Sequence, residues 1–122
     1  MAKVYICSPY RSESPEGQQE NIELAKRMSR FAAKQGHTVL CPHLMYTQFL
    51  NDRDEKEREI GIQSGLQLLK MSDEVWVASG QISEGMSREI AVAGELGIPV
   101  KCIIDPLAAE EHLLNTLMLG RE

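Results

Sequence analysis

The chain has 122 residues, of which 43% are hydrophobic and 25% are charged, a composition typical of one soluble globular domain over residues 1–122. The formal net charge of −5, without a basic run, argues against binding to nucleic acid polymers. No apolar run reaches the roughly 20 residues of a membrane span, and no signal peptide is recognisable. Because the three cysteines show no CxxC or framework spacing, we expect reduced thiols in a cytoplasmic protein without a metal site.

The first half of the chain predicts two strands and one helix. Lys3–Cys7 is short, apolar and partly β-branched, which is typical of a buried parallel strand. After a loop rich in turn formers, apolar residues recur at helical spacing from Glu16 to Gln35. Residues 37–42 predict a second strand that ends at Pro42. Residues 43–52 are expected to form a long, unusually apolar connecting loop.

The second half continues the same alternation of helices and strands. A helix is predicted for residues 53–71, which open on a run of charges and then show an apolar face. Residues 73–79 predict a third strand, and Ser83 caps a helix that ends at Gly97. A fourth strand is predicted for residues 98–104, and a closing helix for residues 105–119.

This order of elements predicts an α/β fold of the Rossmann-like or flavodoxin-like kind. We expect a parallel sheet of about four to five strands with helices on both faces. In such sheets ligands bind outside the carboxyl ends of the strands, near the point where strand order reverses. The loops that follow the strands, at residues 8–11, 42–46, 79–83 and after Ile104, are therefore where functional residues are expected.

Glu89 is the most informative single residue. In the helix that begins after Ser83, helical spacing places it beside Met86 and Ile90, on or near the inward face. The amide of Gly85 at the start of this helix can point at a ligand oxygen. Spacing alone leaves two interpretations open: an acidic residue stabilised by the helix macrodipole, or a carboxylate held in a cleft for chemistry.

Five further candidates also keep two interpretations each. Tyr10 and Arg11 offer a stacking surface and an anion clamp, or belong to a solvated loop. Asp73, at the start of the third strand, is either a turn residue or a carboxylate that reaches the crevice. Tyr5 is either a core residue, whose hydroxyl needs a partner if it is buried, or, less commonly for such a residue, a catalytic one. His43 lies at the correct end of the sheet, although a lone histidine beside a proline is usually structural.

The segments KVYICSPYR, SDEVWVAS and SEGMSREIAVAGELGIPV together resemble the nucleoside 2-deoxyribosyltransferase superfamily, whose members include hydrolases of deoxynucleoside monophosphates. The likeness is greatest to a small, uncharacterised branch from bacteria and phages, and it extends to about Ile104. Its most specific element is Ser-x-Gly-x-x-x-Glu, matched here by Ser83, Gly85 and Glu89.

The resemblance implies a role for each candidate. Glu89 would be the nucleophile that attacks the anomeric carbon, expels the base and forms a glycosyl-enzyme ester, which water or a second base resolves. Asp73 would handle the proton on the leaving base, and Tyr5 would orient the nucleophile. The residues expected to bind the substrate are Ser8, Pro9, Tyr10, Arg11, His43, Ser83, Gly85 and Met86.

The expected function is therefore cleavage or transfer of the N-glycosidic bond of a nucleoside or nucleoside 5′-monophosphate, without a cofactor. The alternative is a protein that holds a nucleotide or ADP-ribose-type ligand without turning it over. The first loop keeps this alternative open, because it lacks the Gly-Pro or Gly-Ser turn usual in the transferases and carries Arg11, which suits phosphate. The resemblance also implies a homodimer, with the apolar segment Leu44–Leu50 as a candidate contact.

Overall fold

The computed structural model, which describes residues 1–107, contains a parallel sheet of four strands. These are β1 (Lys3–Cys7), β2 (Thr38–Leu40), β3 (Glu74–Ala78) and β4 (Val100–Ile103), in the spatial order β2-β1-β3-β4. All three strand pairings are parallel. The predicted α/β fold is confirmed, and most of the predicted closing helix, residues 105–119, lies outside the described residues.

Helices connect the strands, and the three longest of them begin at side-chain caps. The helices are α1 (Pro15–Lys34), a short α2 (Pro42–Met45) continued by a 3-10 helix (Tyr46–Gln48), α3 (Glu55–Lys70) and α4 (Glu84–Glu95). Side-chain oxygens of Ser14, Asp54 and Ser83 accept backbone N–H groups of the first turns of α1, α3 and α4. In the described part of the chain, no helix is long and apolar enough to cross a membrane.

The prediction of an irregular loop at residues 43–52 is wrong for its first half. Pro42 occupies the first position of α2, where its constrained φ favours a helical turn and its missing N–H costs nothing. The aromatic rings of Tyr46 and Phe49 then meet edge to face, with centroids 5.5 Å apart. A helix of four residues is too short to show a periodic pattern, so hydrophobic spacing did not reveal it.

Strand β1 has apolar clusters on both faces because its side chains alternate. Val4 and Ile6 pack with residues of α1, among them Met28. Tyr5 and Cys7 point to the opposite face, where they pack with Met86 of α4 and residues of β3. Helices therefore cover both faces of the sheet, as the alternating elements predict, and Tyr5 and Cys7 share the α4 side.

The strand order reverses beside β1. The chain adds β2 on one side of β1 and then crosses to add β3 on the other side, with Tyr5 opposite Val75 and Cys7 opposite Val77. The carboxyl ends of β1 and β3 therefore meet at the switch point of the sheet, where open α/β folds bind ligands.

Helix α3 approaches this region closely at Gly65. A Cβ atom built on Gly65 would lie 3.4 Å from Cγ of Pro42 and 3.6 Å from the hydroxyl oxygen of Tyr5. An alanine would just fit this space, whereas a larger side chain would have to displace α2 or Tyr5. The glycine thus sets how near α3 lies to the end of β1.

We expect Gly65→Leu to lower the free energy of unfolding by about 1–3 kcal/mol through overpacking. The matched control is Gly94→Leu in α4, where nothing lies within 4 Å of the added Cβ, and it should be neutral or stabilising by up to about 1 kcal/mol. Urea unfolding of both variants measures the difference. Equal stabilities would show that α3 can move away from Tyr5 at little cost.

Candidate active site

A cavity of about 480 Å³ lies at the switch point, within the usual size range of small-molecule sites. Its walls come from the end of β1 and the loop after it, from α2 and the 3-10 helix, from α3, and from the first turns of α4. Most of the residues predicted for the site line this cavity. They are Tyr5, Ser8, Tyr10, Arg11, His43, Ser83, Gly85, Met86 and Glu89.

Two predicted residues do not line the cavity, namely Pro9 and Asp73. Asp73 precedes β3, at the amino end of that strand, whereas the cavity opens toward the carboxyl ends of the strands. There its Oδ2 accepts the backbone N–H of Lys3, and its own N–H donates to the Lys3 carbonyl, both at 2.7 Å. The catalytic role transferred to Asp73 is therefore corrected: this residue joins the start of β1 to the start of β3.

The Glu89 carboxylate lies on the inner side of α4, and its Oε2 is buried without a hydrogen-bond partner in the described residues. The Tyr5 hydroxyl and the Cys7 thiol stabilise its charge, although neither reaches Oε2 within hydrogen-bonding geometry. Burial raises the pKa of Glu89 from 4.5 to about 7. It outweighs Tyr5, Cys7 and Arg88, which all favour the charged form and lower the pKa. Near neutral pH this carboxyl group therefore exists in both its protonated and its ionised form.

The two groups beside Glu89 are neutral. Burial, reinforced by the negative charge of Glu89, raises the pKa of Tyr5 and that of Cys7 far above their ordinary values. The Cys7 sulfur also lies 3.8 Å from the carbonyl oxygen of Met86, which links β1 to the first turn of α4. Tyr5 is thus a neutral hydroxyl next to a carboxylate, and the orienting role implied for it stays a prediction.

His43 and Tyr10 form an aromatic wall of the cavity, with ring centroids 5.1 Å apart and a tilt of 36°. Burial lowers the pKa of His43 to about 4, against the opposing charge of Asp52, so the imidazole is neutral at pH 7. Its Nδ1 is buried without a partner in the described residues. A neutral imidazole can accept or donate a hydrogen bond, depending on its tautomer.

Three unpaired polar atoms border this one cavity: Oγ of the fully buried Ser8, Nδ1 of His43 and Oε2 of Glu89. Residues 1–107 contain four such side-chain atoms, and the fourth, in Ser29, lies elsewhere. Each unsatisfied group costs about 1–3 kcal/mol, and buried polar groups are normally paired. Their concentration at the switch point indicates a surface built to bind a polar ligand.

The sequence interpretation missed five charged residues of the cavity: Asp52, Glu57, Arg58, Glu84 and Arg88. Asp52 Oδ2 lies 3.0 Å from Nε of Arg11, and its Oδ1 lies 3.9 Å from Nε of Arg58. The charged run at the start of α3 looked like an ordinary solvated helix end, and no spacing signal separates these residues from their neighbours. Nowhere in the described residues do three or more His, Cys, Asp or Glu side chains come together as a metal site would require.

A parallel sheet with a carboxylate-bearing cavity at its switch point defines a Rossmann-like domain of the kind that binds small ligands. Residues 2–103 match the family described as a domain of unknown function (DUF7768), and the chain belongs to this family. No curated protein matches the sequence.

Ten chains of solved structures match this protein. One is similar over 84% of this chain and 72% of its own length, with a TM-score of 0.68 and 21% identical residues. It is a 2-deoxyribosyltransferase from the psychrotolerant bacterium Bacillus psychrosaccharolyticus. At this identity the likeness shows the fold alone, and it confirms the fold expected from the resemblance.

The pKa of Glu89 is higher in the folded than in the unfolded chain, so ionising this residue destabilises the fold. The stability that the protonated carboxyl group contributes is therefore lost as pH rises through about 7. A pKa raised from 4.5 to about 7 corresponds to roughly 3 kcal/mol. We therefore expect Glu89→Gln to be more stable than the wild type by up to about 3 kcal/mol at pH 8.5, and nearly equal to it at pH 5.

Denaturant unfolding at both pH values measures this difference. The control is Glu95→Gln, an exposed position in the last turn of α4, which should show no comparable dependence on pH. A Glu89→Gln variant that is less stable than the wild type at pH 8.5 would contradict the raised pKa of the buried Glu89 carboxyl group.

Proposed function

We propose that this protein cleaves or transfers the N-glycosidic bond of a nucleoside or nucleoside 5′-monophosphate, with Glu89 as the nucleophile. The observation that carries this proposal is the buried, unpaired Oε2 of Glu89 at the cavity wall. A carboxylate held in this way can attack an anomeric carbon from one face of the sugar. The shared fold with a 2-deoxyribosyltransferase supports the same class of reaction.

In the proposed first step, the ionised Glu89 oxygen forms a bond to the anomeric carbon while the bond from that carbon to the base nitrogen breaks. The base leaves with the bonding electron pair and takes up a proton from water. In the second step, water or another base attacks the same carbon, loses a proton, and the carboxylate is released. The Tyr5 hydroxyl remains neutral throughout and holds the carboxylate in position.

The leaving base is assigned to the aromatic side of the cavity. Tyr10 supplies a ring on which a base can stack, and the unpaired Nδ1 of His43 supplies a hydrogen bond to its edge. Because Asp73 lies at the amino end of β3, outside the cavity lining, we assign the contact with the base nitrogen to His43 instead. A neutral imidazole can hold the departing base through a hydrogen bond to its edge, and it needs no proton of its own to do so.

The start of α4 is assigned to the 5′ side of the sugar. The Ser83 hydroxyl already accepts the N–H of Met86, at 3.2 Å, so it acts as the helix cap and positions the first turn. No atom lies within 4 Å of a Cβ built on Gly85, so packing does not explain this glycine. A bare backbone at a helix N-terminus lets a ligand oxygen or phosphate approach the amides closely.

The homodimer remains a prediction. The segment Leu44–Leu50 forms part of α2 and the 3-10 helix, and it leaves the side chains of Met45 and Phe49 exposed, with Ile60 of α3 also exposed. These apolar side chains support a contact between copies, since exposed apolar patches commonly mark interfaces.

Incubation with nucleosides, deoxynucleoside monophosphates and NAD, followed by chromatography of the released bases, tests the proposed reaction. We expect free base with the wild type and with the control Glu95→Gln. Release by Glu89→Gln should fall by a factor on the order of 10³ or more, as when other catalytic nucleophiles are removed. If every compound survives intact while one stays bound through gel filtration, the protein is a nucleotide-binding protein and the catalytic proposal fails.

A second experiment tests the corrected role of Asp73. Asn keeps an oxygen that can accept the Lys3 N–H, so Asp73→Asn should release base within about twofold of the wild type and lose no more than about 1 kcal/mol of stability. Base-release assays and urea unfolding of the same preparation check both values. A stable Asp73→Asn protein that lost base release would restore a catalytic role to this carboxylate.

A further inference from the structure

The cavity at Glu89 adjoins a second, smaller cavity of about 260 Å³. The smaller one is lined by the loop after β1, the first turn of α1 and the loop before α3, and by no residue of α4. Four residues line both cavities: Tyr10, Arg11, Leu50 and Asp52. The two spaces therefore meet at the ion pair between Arg11 and Asp52, at the end of the main cavity away from α4.

This ion pair is a loose one. Arg11 Nε lies 3.0 Å from Asp52 Oδ2 but makes no hydrogen bond to it, and the Arg58 contact to the same carboxylate is longer, at 3.9 Å. By contrast, Arg27 donates two hydrogen bonds to Asp105, at 2.9 and 2.8 Å. Exposed pairs without good geometry contribute little to stability, so a ligand can displace this one at small cost.

The charges at this junction favour an anion. Arg11 and Arg58 approach Asp52 from the main cavity, and Arg53 lines the smaller one. With Glu57, which also lines the main cavity, the junction holds three arginines and two carboxylates. This excess of positive charge stands out in a chain with a net charge of −5. Guanidinium groups match the oxygen geometry of phosphate and bind it through paired hydrogen bonds.

We propose that the two cavities together bind a dinucleotide-type ligand, in which a diphosphate joins two sugar units. The diphosphate would lie at Arg11 and Arg58, in the place that the Asp52 carboxylate occupies. The sugar whose anomeric carbon reacts would lie in the main cavity beside Glu89, and the second nucleoside would occupy the smaller cavity. Placing the reacting carbon at Glu89 rests on the proposed function, whereas the diphosphate subsite rests on the junction itself.

The smaller cavity has the surface that a second nucleoside needs. Tyr10 provides an aromatic ring, and Ser12, Gln18 and Asn51 provide donors and acceptors for a ribose or a base edge. Gln18 donates to the Tyr10 hydroxyl at 3.3 Å, and Asn21 donates to the Tyr10 backbone carbonyl at 3.1 Å. These bonds hold the ring in place between the two cavities, which lowers the entropic cost of stacking a ligand on it.

Isothermal titration calorimetry with ADP-ribose and AMP tests the diphosphate subsite, in the Glu89→Gln background so that turnover does not interfere. We expect ADP-ribose to bind at least about tenfold more tightly than AMP. Adding Arg11→Gln should weaken ADP-ribose binding by about tenfold or more and AMP binding by less than about twofold. The charge-matched control is Arg30→Gln, an exposed position on α1 that lines neither cavity, and it should change neither affinity.

Three outcomes would overturn the proposal: ADP-ribose that binds no more tightly than AMP, an Arg11→Gln variant that weakens both ligands equally, or one that weakens neither. Circular dichroism checks the fold of each variant, and Arg58→Gln replaces Arg11→Gln if the latter does not fold. Base release from monophosphates without preference for ADP-ribose would leave the proposed function standing and refute the dinucleotide subsite. Selective ADP-ribose binding without any base release would support the dinucleotide subsite and refute the proposed function.

Discussion

The parallel pairing of β1 with β2 on one side and with β3 on the other is the constraint on which the rest of this structure depends. It makes β1 a central strand whose two faces are covered by different helices, and it brings the ends of β1 and β3 to the point where strand order reverses. Tyr5 and Cys7 share one face because strand side chains alternate, and α4 starts beside them after β3. The carboxylate of Glu89 meets a neutral hydroxyl and a neutral thiol as a direct result.

Burial of Glu89 is the clearest case in which this fold accepts a local cost. The core on the α4 side is otherwise apolar, and a carboxylate at its margin opposes folding whenever it is ionised. Unpaired polar atoms of Ser8 and His43 add to this cost at the same cavity. Natural proteins concentrate such unfavourable features at functional sites, because a preorganised site must hold its polar groups ready for a ligand rather than for one another.

Local patterns predicted the elements of this fold well and the charged side of the cavity poorly. Strand β1 matches its predicted bounds, and the other strands and long helices differ from theirs by at most two residues at either end. Helical spacing correctly placed Glu89 near the inward side of α4. The same local patterns did not reveal the short α2, which has no period to detect. They also did not distinguish Asp52 and Arg58, whose charges resemble those of a solvated helix start. The role of Asp73 was transferred by position along the chain, which does not show at which edge of the sheet a residue lies.

The amino-acid sequence by itself determined the alternation of strands and helices, the caps of α1, α3 and α4, and the side of α4 on which Glu89 lies. These features depend on contacts between residues that are close along the chain. Only the tertiary structure decided that Tyr5 and Glu89 meet, that Asp73 joins β1 outside the cavity lining, and that Arg11, Asp52 and Arg58 converge between two cavities. These groups are 84, 70 and up to 47 positions apart, and the strand order that joins them is set by the packing of the whole sheet.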